Sequence, residues 1–198
     1  MAAAISHLLY LHGFRSSPQS AKALLTAARM QQHRPDVTWW CPQLPASPRE
    51  AMQLLHDGMA AWPRENVDAI GVIGSSLGGF YATAVAERVG CRAVLLNPAI
   101  DPARDLVKHI GETTAWHSDD GFFFRAEFID ELRAISPEAL TTLDRYFAII
   151  AKGDELLSWV EMSERYRGCR VALLEGGDHA LSDFELHLPE VTRFLGLR

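Results

Sequence analysis

The chain reads as an α/β protein, with a compact, mostly parallel sheet of about six strands covered by helices on both faces. Three observations lead there. Short apolar runs alternate with amphipathic stretches of helix length along the 198 residues. The runs are close to continuously apolar, the pattern of strands buried on both faces rather than half-exposed ones. Each is bounded by Gly, Pro, Asn or Asp, whose turn chemistry ends a strand.

The elements follow in order. A strand is expected at 6–11, then a loop opening with His12-Gly13, then a helix over 20–32 with Ser20 at its N-cap. After a strand at 37–41, Ser47 and Pro48 open a helix over 48–62 as N-cap and first helical residue. A strand at 69–73 runs through Gly74-Ser75-Ser76-Leu77-Gly78 into a helix over 77–89, and a strand at 93–96 follows. Strands at 146–151 and 170–174 complete the sheet, with helices over 137–143 and 157–166. Helical segments are expected on either side of Pro189, which lacks an N–H for the ladder. Residues 101–136 break the alternation, with no strand-like run, while Phe124, Phe128 and Leu132 recur at helical spacing. An insertion there would lie over the carboxyl ends of the strands, where open α/β sheets bind ligands. It is expected to be a small cap, with Phe124 and Phe128 lining a substrate pocket. The length suits one domain over 1–198.

Composition narrows the functional classes. Hydrophobic residues make up 48 %, and no apolar run approaches a bilayer span, so no membrane association is expected. The net charge of −6 comes without long basic runs, which argues against a nucleic-acid partner. The start lacks the basic region and apolar stretch of a secretory signal, so a cytoplasmic location is expected. Cys41, Cys91 and Cys169 are odd in number and widely spaced, which fits thiols better than a disulfide framework. His117-Ser118-Asp119-Asp120 has no second ligand pair at defined spacing and reads as a solvated loop, so no metal is expected. Nothing in the sequence sets the oligomeric state.

The chemistry sits at Gly74-Ser75-Ser76-Leu77-Gly78. Strand, then G-x-S-x-G, then helix is the context of a nucleophile elbow, in which a serine is exposed on a strained turn. Glycine stands two residues before and two after Ser76, whereas Ser75 has Ile73 and Leu77 there, so Ser76 is the candidate nucleophile. A serine hydroxyl needs a base to take its proton and an acid to orient that base. In chain order after Ser76, Lys152-Gly153-Asp154-Glu155 follows one strand and Glu175-Gly176-Gly177-Asp178-His179 follows another. His179 is the expected base and Asp154 the expected acid. Glu155 is the rival acid, set one residue further toward the next helix, and Asp178 is expected to organise its own turn. A developing oxyanion needs backbone donors: the N–H of Leu77 and one from the first strand–helix loop, assigned to Phe14. Arg15 and Ser16 in that loop are candidate contacts to a polar part of a substrate. This chemistry calls for no cofactor.

These blocks carry a resemblance. Leu9-Tyr10-Leu11-His12-Gly13-Phe14, Ser16-Ser17-Pro18, Pro42-Gln43-Leu44-Pro45, Asn97-Pro98-Ala99, Gly153-Asp154-Glu155 and Gly177-Asp178-His179-Ala180 stand with the elbow. Together they resemble the small bacterial YqiA/YcfP-like esterases of the α/β-hydrolase superfamily. The resemblance implies an α/β-hydrolase fold and a serine esterase of short-chain acyl esters and thioesters, with Ser76, Asp154 and His179 at the matching positions. The alternatives are an acyl-CoA thioesterase and a non-catalytic binding module on the same fold, since fold alone does not give activity.

Overall fold

The computed structural model of the chain describes residues 5–114 and 121–197. The stretch His117-Ser118-Asp119-Asp120 lies outside them. Strands β1 (His7–Leu11), β2 (Thr38–Trp40), β3 (Ile70–Ser75), β4 (Arg92–Leu96), β7 (Tyr146–Ala151) and β8 (Arg170–Leu174) form a sheet in the order β2-β1-β3-β4-β7-β8. Every pairing in it is parallel. The order reverses at β1: the chain crosses to β2 on one side and to β3 on the other, leaving a crevice beyond their carboxyl ends.

Alternation along the strands divides the core. Leu9, Leu11, Val72, Leu95, Ala148 and Ile150 face α2 (Pro48–Gly58), α3 (Leu77–Val89) and α5 (Glu127–Ile135). Leu8, Tyr10, Ile73, Val94, Leu96 and Ile149 face α1 (Ala21–His33) and α7 (Phe184–Phe194). Burying each such aliphatic side chain contributes about 1.5–3 kcal/mol. Helix α3 is buried on all sides from Leu77 to Ala86, as befits the helix behind the central strand.

Several elements depart from the sequence pattern. Within 101–136 the chain forms α4 (Pro102–Asp105) and an antiparallel hairpin of β5 (Gly111–Thr114) and β6 (Gly121–Phe124), followed by α5. The segment expected to be without strands thus holds two of them. The expected helix over 137–143 is absent. Its backbone bonds outward: Arg165 takes the carbonyls of Pro137 and Glu138, and Glu87 takes the N–H and hydroxyl of Thr141. Helix α6 (Trp159–Arg165) begins after 157 because Asp154 holds the N–H groups of Leu156 and Leu157, and Ser158 caps it. Helix α2 stops at Gly58, and Trp62 turns back onto the rings of His7 and Trp40. Helix α7 runs through Pro189 unbroken, since Phe184, Leu188 and Val191 bury both of its halves. Ser20 occupies the N-cap of α1, yet its hydroxyl makes no capping bond.

Candidate active site

Ser76 joins β3 to α3 at φ 56° and ψ −121°. Such a conformation costs a non-glycine residue on the order of 1–3 kcal/mol and persists only where its surroundings impose it. Here the Ser76 N–H donates to the Leu96 carbonyl at 3.0 Å, and its own carbonyl accepts from Gly79 and Ala99. The flanking glycines are a steric necessity. A Cβ on Gly74 would lie 2.1 Å from the Gly78 oxygen, and one on Gly78 would lie 2.0 Å from the Leu11 oxygen. The ends of β1 and β3 and the start of α3 meet without room for side chains. Ser75 is buried and Ser76 is partly open.

His179 and Asp154 arrive on the loops after β8 and β7. His179 Nε2 lies 3.0 Å from Ser76 Oγ, and Nδ1 lies 2.8 Å from Asp154 Oδ2. The Asp154 side chain is fully buried. Its second oxygen accepts the N–H groups of Leu156 and Leu157, each at 2.8 Å. A buried carboxylate needs such donors to satisfy oxygens taken out of water. Glu155 instead accepts the backbone N–H of His179 at 3.0 Å, so it anchors the loop rather than the ring. Asp178 accepts the N–H and hydroxyl of Ser182, and these bonds hold its carboxyl below the ordinary value. A hydroxyl, an imidazole and a buried carboxylate in one line can move a proton off the hydroxyl while the carboxylate balances the charge formed on the ring.

The loop after β1 lies against the serine. A Cβ on Gly13 would be 3.3 Å from Ser76 Cβ and 3.7 Å from its Oγ, so glycine permits this approach. Buried His12 fixes the loop: its Nε2 accepts the Leu44 N–H at 3.0 Å, leaving the proton on Nδ1, which faces the Gly13 carbonyl at 3.0 Å. Phe14 belongs to this loop and Leu77 is the first residue of α3, whose opening N–H groups have no acceptor within the helix. Phe14, Arg15, Ser16 and Leu77 share the wall of a small cleft beside Gly13.

A larger cavity of about 270 Å³ opens over Ser76 and His179, with Phe14, Tyr10, Ser20 and Lys22 among its walls. A groove of similar size between α2 and α3 holds neither Ser76 nor His179. Phe124 and Phe128, expected to line the pocket, are 1 % and 7 % exposed and line neither of the cavities beside Ser76. Their placement corrects that expectation. Phe124 packs edge-on against Phe14 at 5.3 Å and Phe128 against Phe124 at 5.5 Å, so they back the wall that Phe14 presents. Asn97 was missed in the sequence except as part of a motif. It is fully buried at φ 41°, donates to the Asp178 and His179 carbonyls at 2.9 and 3.2 Å, and accepts the Ala151 N–H at 2.8 Å. The clue was an asparagine ending an otherwise apolar strand. Lys22 and Tyr10 left no such clue, because helix and strand residues of those types are common.

A parallel sheet with this crossover, and a strained serine between its central strand and the following helix, define the α/β-hydrolase fold. The chain belongs to the family described as Uncharacterised protein family (UPF0227), the YqiA/YcfP family, whose model matches residues 7–196. Among solved structures, it is similar to a protein from Agrobacterium vitis S4 at a TM-score of 0.75 and 16 % identity, covering 98 % of this chain and 91 % of that one. Est1E from Butyrivibrio proteoclasticus, with ferulic acid bound, matches at 0.67 and 16 %, covering 97 % and 87 %. An esterase of Pyrococcus furiosus matches at 0.64 and 17 %, covering 99 % and 83 %. At these identities the likeness is one of fold. No helix among the described residues is long and apolar enough to cross a membrane.

Proposed function

We propose that the protein is a serine hydrolase of short-chain carboxylic esters and thioesters, working through an acyl-enzyme. The observation that carries this reading is the line Ser76–His179–Asp154, with contacts of 3.0 and 2.8 Å, on a serine held at φ 56°. Ser76 Oγ attacks the substrate carbonyl carbon as its proton passes to His179 Nε2, and Asp154 stabilises the imidazolium. The oxyanion takes hydrogen bonds from the N–H groups of Phe14 and Leu77, with the dipole of α3 adding favourable potential. The bond to the leaving oxygen or sulfur breaks and His179 returns the proton to it. Water then attacks the acyl carbon, giving a proton to His179, which passes it to Ser76 Oγ as the carboxylic acid departs. The Pyrococcus furiosus relative is named an esterase and Est1E holds a carboxylic acid, which favours the same reaction class. A cavity of about 270 Å³ suits small acyl groups. Cys41, Cys91 and Cys169 as free thiols suit a reducing, cytoplasmic setting.

Rapid mixing with p-nitrophenyl acetate tests the scheme. A burst of p-nitrophenol equal to the enzyme concentration, absent in Ser76→Ala, is expected. Steady hydrolysis by Ser76→Ala at the wild-type rate would contradict it.

A further inference from the structure

The cavity over Ser76 contains polar groups that the scheme above leaves unused. Tyr10 is fully buried on β1, and its hydroxyl has no hydrogen-bond partner beyond a contact with the hydroxyl of Ser20. Ser20, at the N-cap of α1, makes no capping bond with its hydroxyl, which likewise has only that contact. The two hydroxyls are neighbours. Burial pushes the Tyr10 phenol well above its ordinary value, Cys41 adds to that, and Ser20 offsets part of it. Tyr10 is therefore a neutral donor. Lys22, in the first turn of α1, gives one N–H to the carbonyl of Ala180, next to His179. Burial draws the Lys22 ammonium down while the Asp178 charge opposes this, yet the Asp178 oxygens are engaged by Ser182 rather than by Lys22. All three side chains line the same cavity as Ser76 and His179.

Buried hydroxyls without partners are uncommon because each forgoes hydrogen bonds it would have made in water. Two hydroxyls with only each other to bond, beside a half-buried ammonium at the positive end of a 13-residue helix, form a donor set suited to an oxyanion. We propose that Tyr10, Ser20 and Lys22 form a subsite for a carboxylate carried by the ester substrate, which makes the protein selective for anionic over neutral esters. The proposal rests on Ser76 acting as the nucleophile. The carboxylate belongs either to the acyl part or to the alcohol part of the ester, and two substrate pairs distinguish them.

The test compares kcat/KM for monomethyl succinate with that for methyl pentanoate, and for acetoxyacetate with that for propyl acetate. One pair is expected to favour the anion by about tenfold or more, the scale of a charge-assisted hydrogen bond in a half-buried site. That pair identifies the part of the ester bearing the charge. Lys22→Gln and Tyr10→Phe are each expected to lower the ratio about fivefold or more, with Lys22→Arg retaining most of it. Turnover of neutral esters with no anion preference in either pair would overturn the subsite and leave the hydrolase reading standing. So would a preference undiminished in both Lys22→Gln and Tyr10→Phe. A wild-type protein that cleaves none of the four esters would overturn both.

Discussion

Ser76 sits at a positive φ that its neighbours impose, and its hydroxyl faces an imidazole whose other nitrogen faces a buried carboxylate. Removing any of these groups separates chemistry from folding. Asp154→Asn is expected to keep the fold while lowering kcat about 10^4-fold, because an amide favours the wrong tautomer of His179. Glu155→Gln, which touches only the His179 backbone, is expected to cost no more than about tenfold. Steady-state kinetics on a chromogenic ester, with circular dichroism for the fold, checks both, and a reversed order would make Glu155 the acid. The positions of Ser76, Asp154 and His179 were legible because each follows a strand, has a glycine nearby and falls in the required order. Asn97 was not, because its partners at Ala151, Asp178 and His179 lie 54, 81 and 82 residues away.

Among the elements, the loops after β4, β7 and β8 converge on the Asn97 amide. Asn97→Ala strands the Ala151 N–H and the carbonyl of His179, at about 1–3 kcal/mol for each buried group left unpaired. The variant is expected to unfold at lower denaturant by about 3 kcal/mol and to lose kcat as the His179 loop loosens. Full stability in Asn97→Ala would show that these bonds do not hold the loop. The sheet strands and α3 were readable from apolar runs, whose burial decides them. The helix expected at 137–143 failed because two charged side chains, Arg165 and Glu87, claim its backbone groups, and no local pattern announces such partners. The hairpin of β5 and β6 pairs glycine- and threonine-rich strands against phenylalanines, a register that sequence periodicity does not display.

Across the whole molecule, the sheet reversal at β1 places the loop of Phe14 beside Ser76, and the segment from α4 to α5 supports that loop from behind. Phe124→Ala is expected to destabilise the protein by about 3–5 kcal/mol, as for a buried phenylalanine, and to weaken ester turnover by freeing Phe14. A stable variant with an altered acyl-length profile would instead put Phe124 in the pocket. Acid stability depends on a second long-range contact. Burial of Glu87 raises its pKa, but hydrogen bonds from Tyr146 and Thr141 outweigh this and hold the carboxyl below its ordinary value. A depressed folded-state pKa stabilises the protein above the unfolded value, near 4.3, and that contribution fades as pH falls through the folded one. Glu87→Gln should therefore be less stable than wild type at pH 7, with the gap narrowing below about pH 4 in urea titrations.

As a nucleophile activated by His179 and Asp154, Ser76 should react with serine-directed electrophiles. Labelling with a fluorophosphonate, followed by intact mass and peptide mapping, reads that activation directly. One adduct per chain on Ser76 is expected, lost in Ser76→Ala and strongly slowed in His179→Ala. An adduct on Ser75, or an unlabelled wild-type protein, would contradict the account.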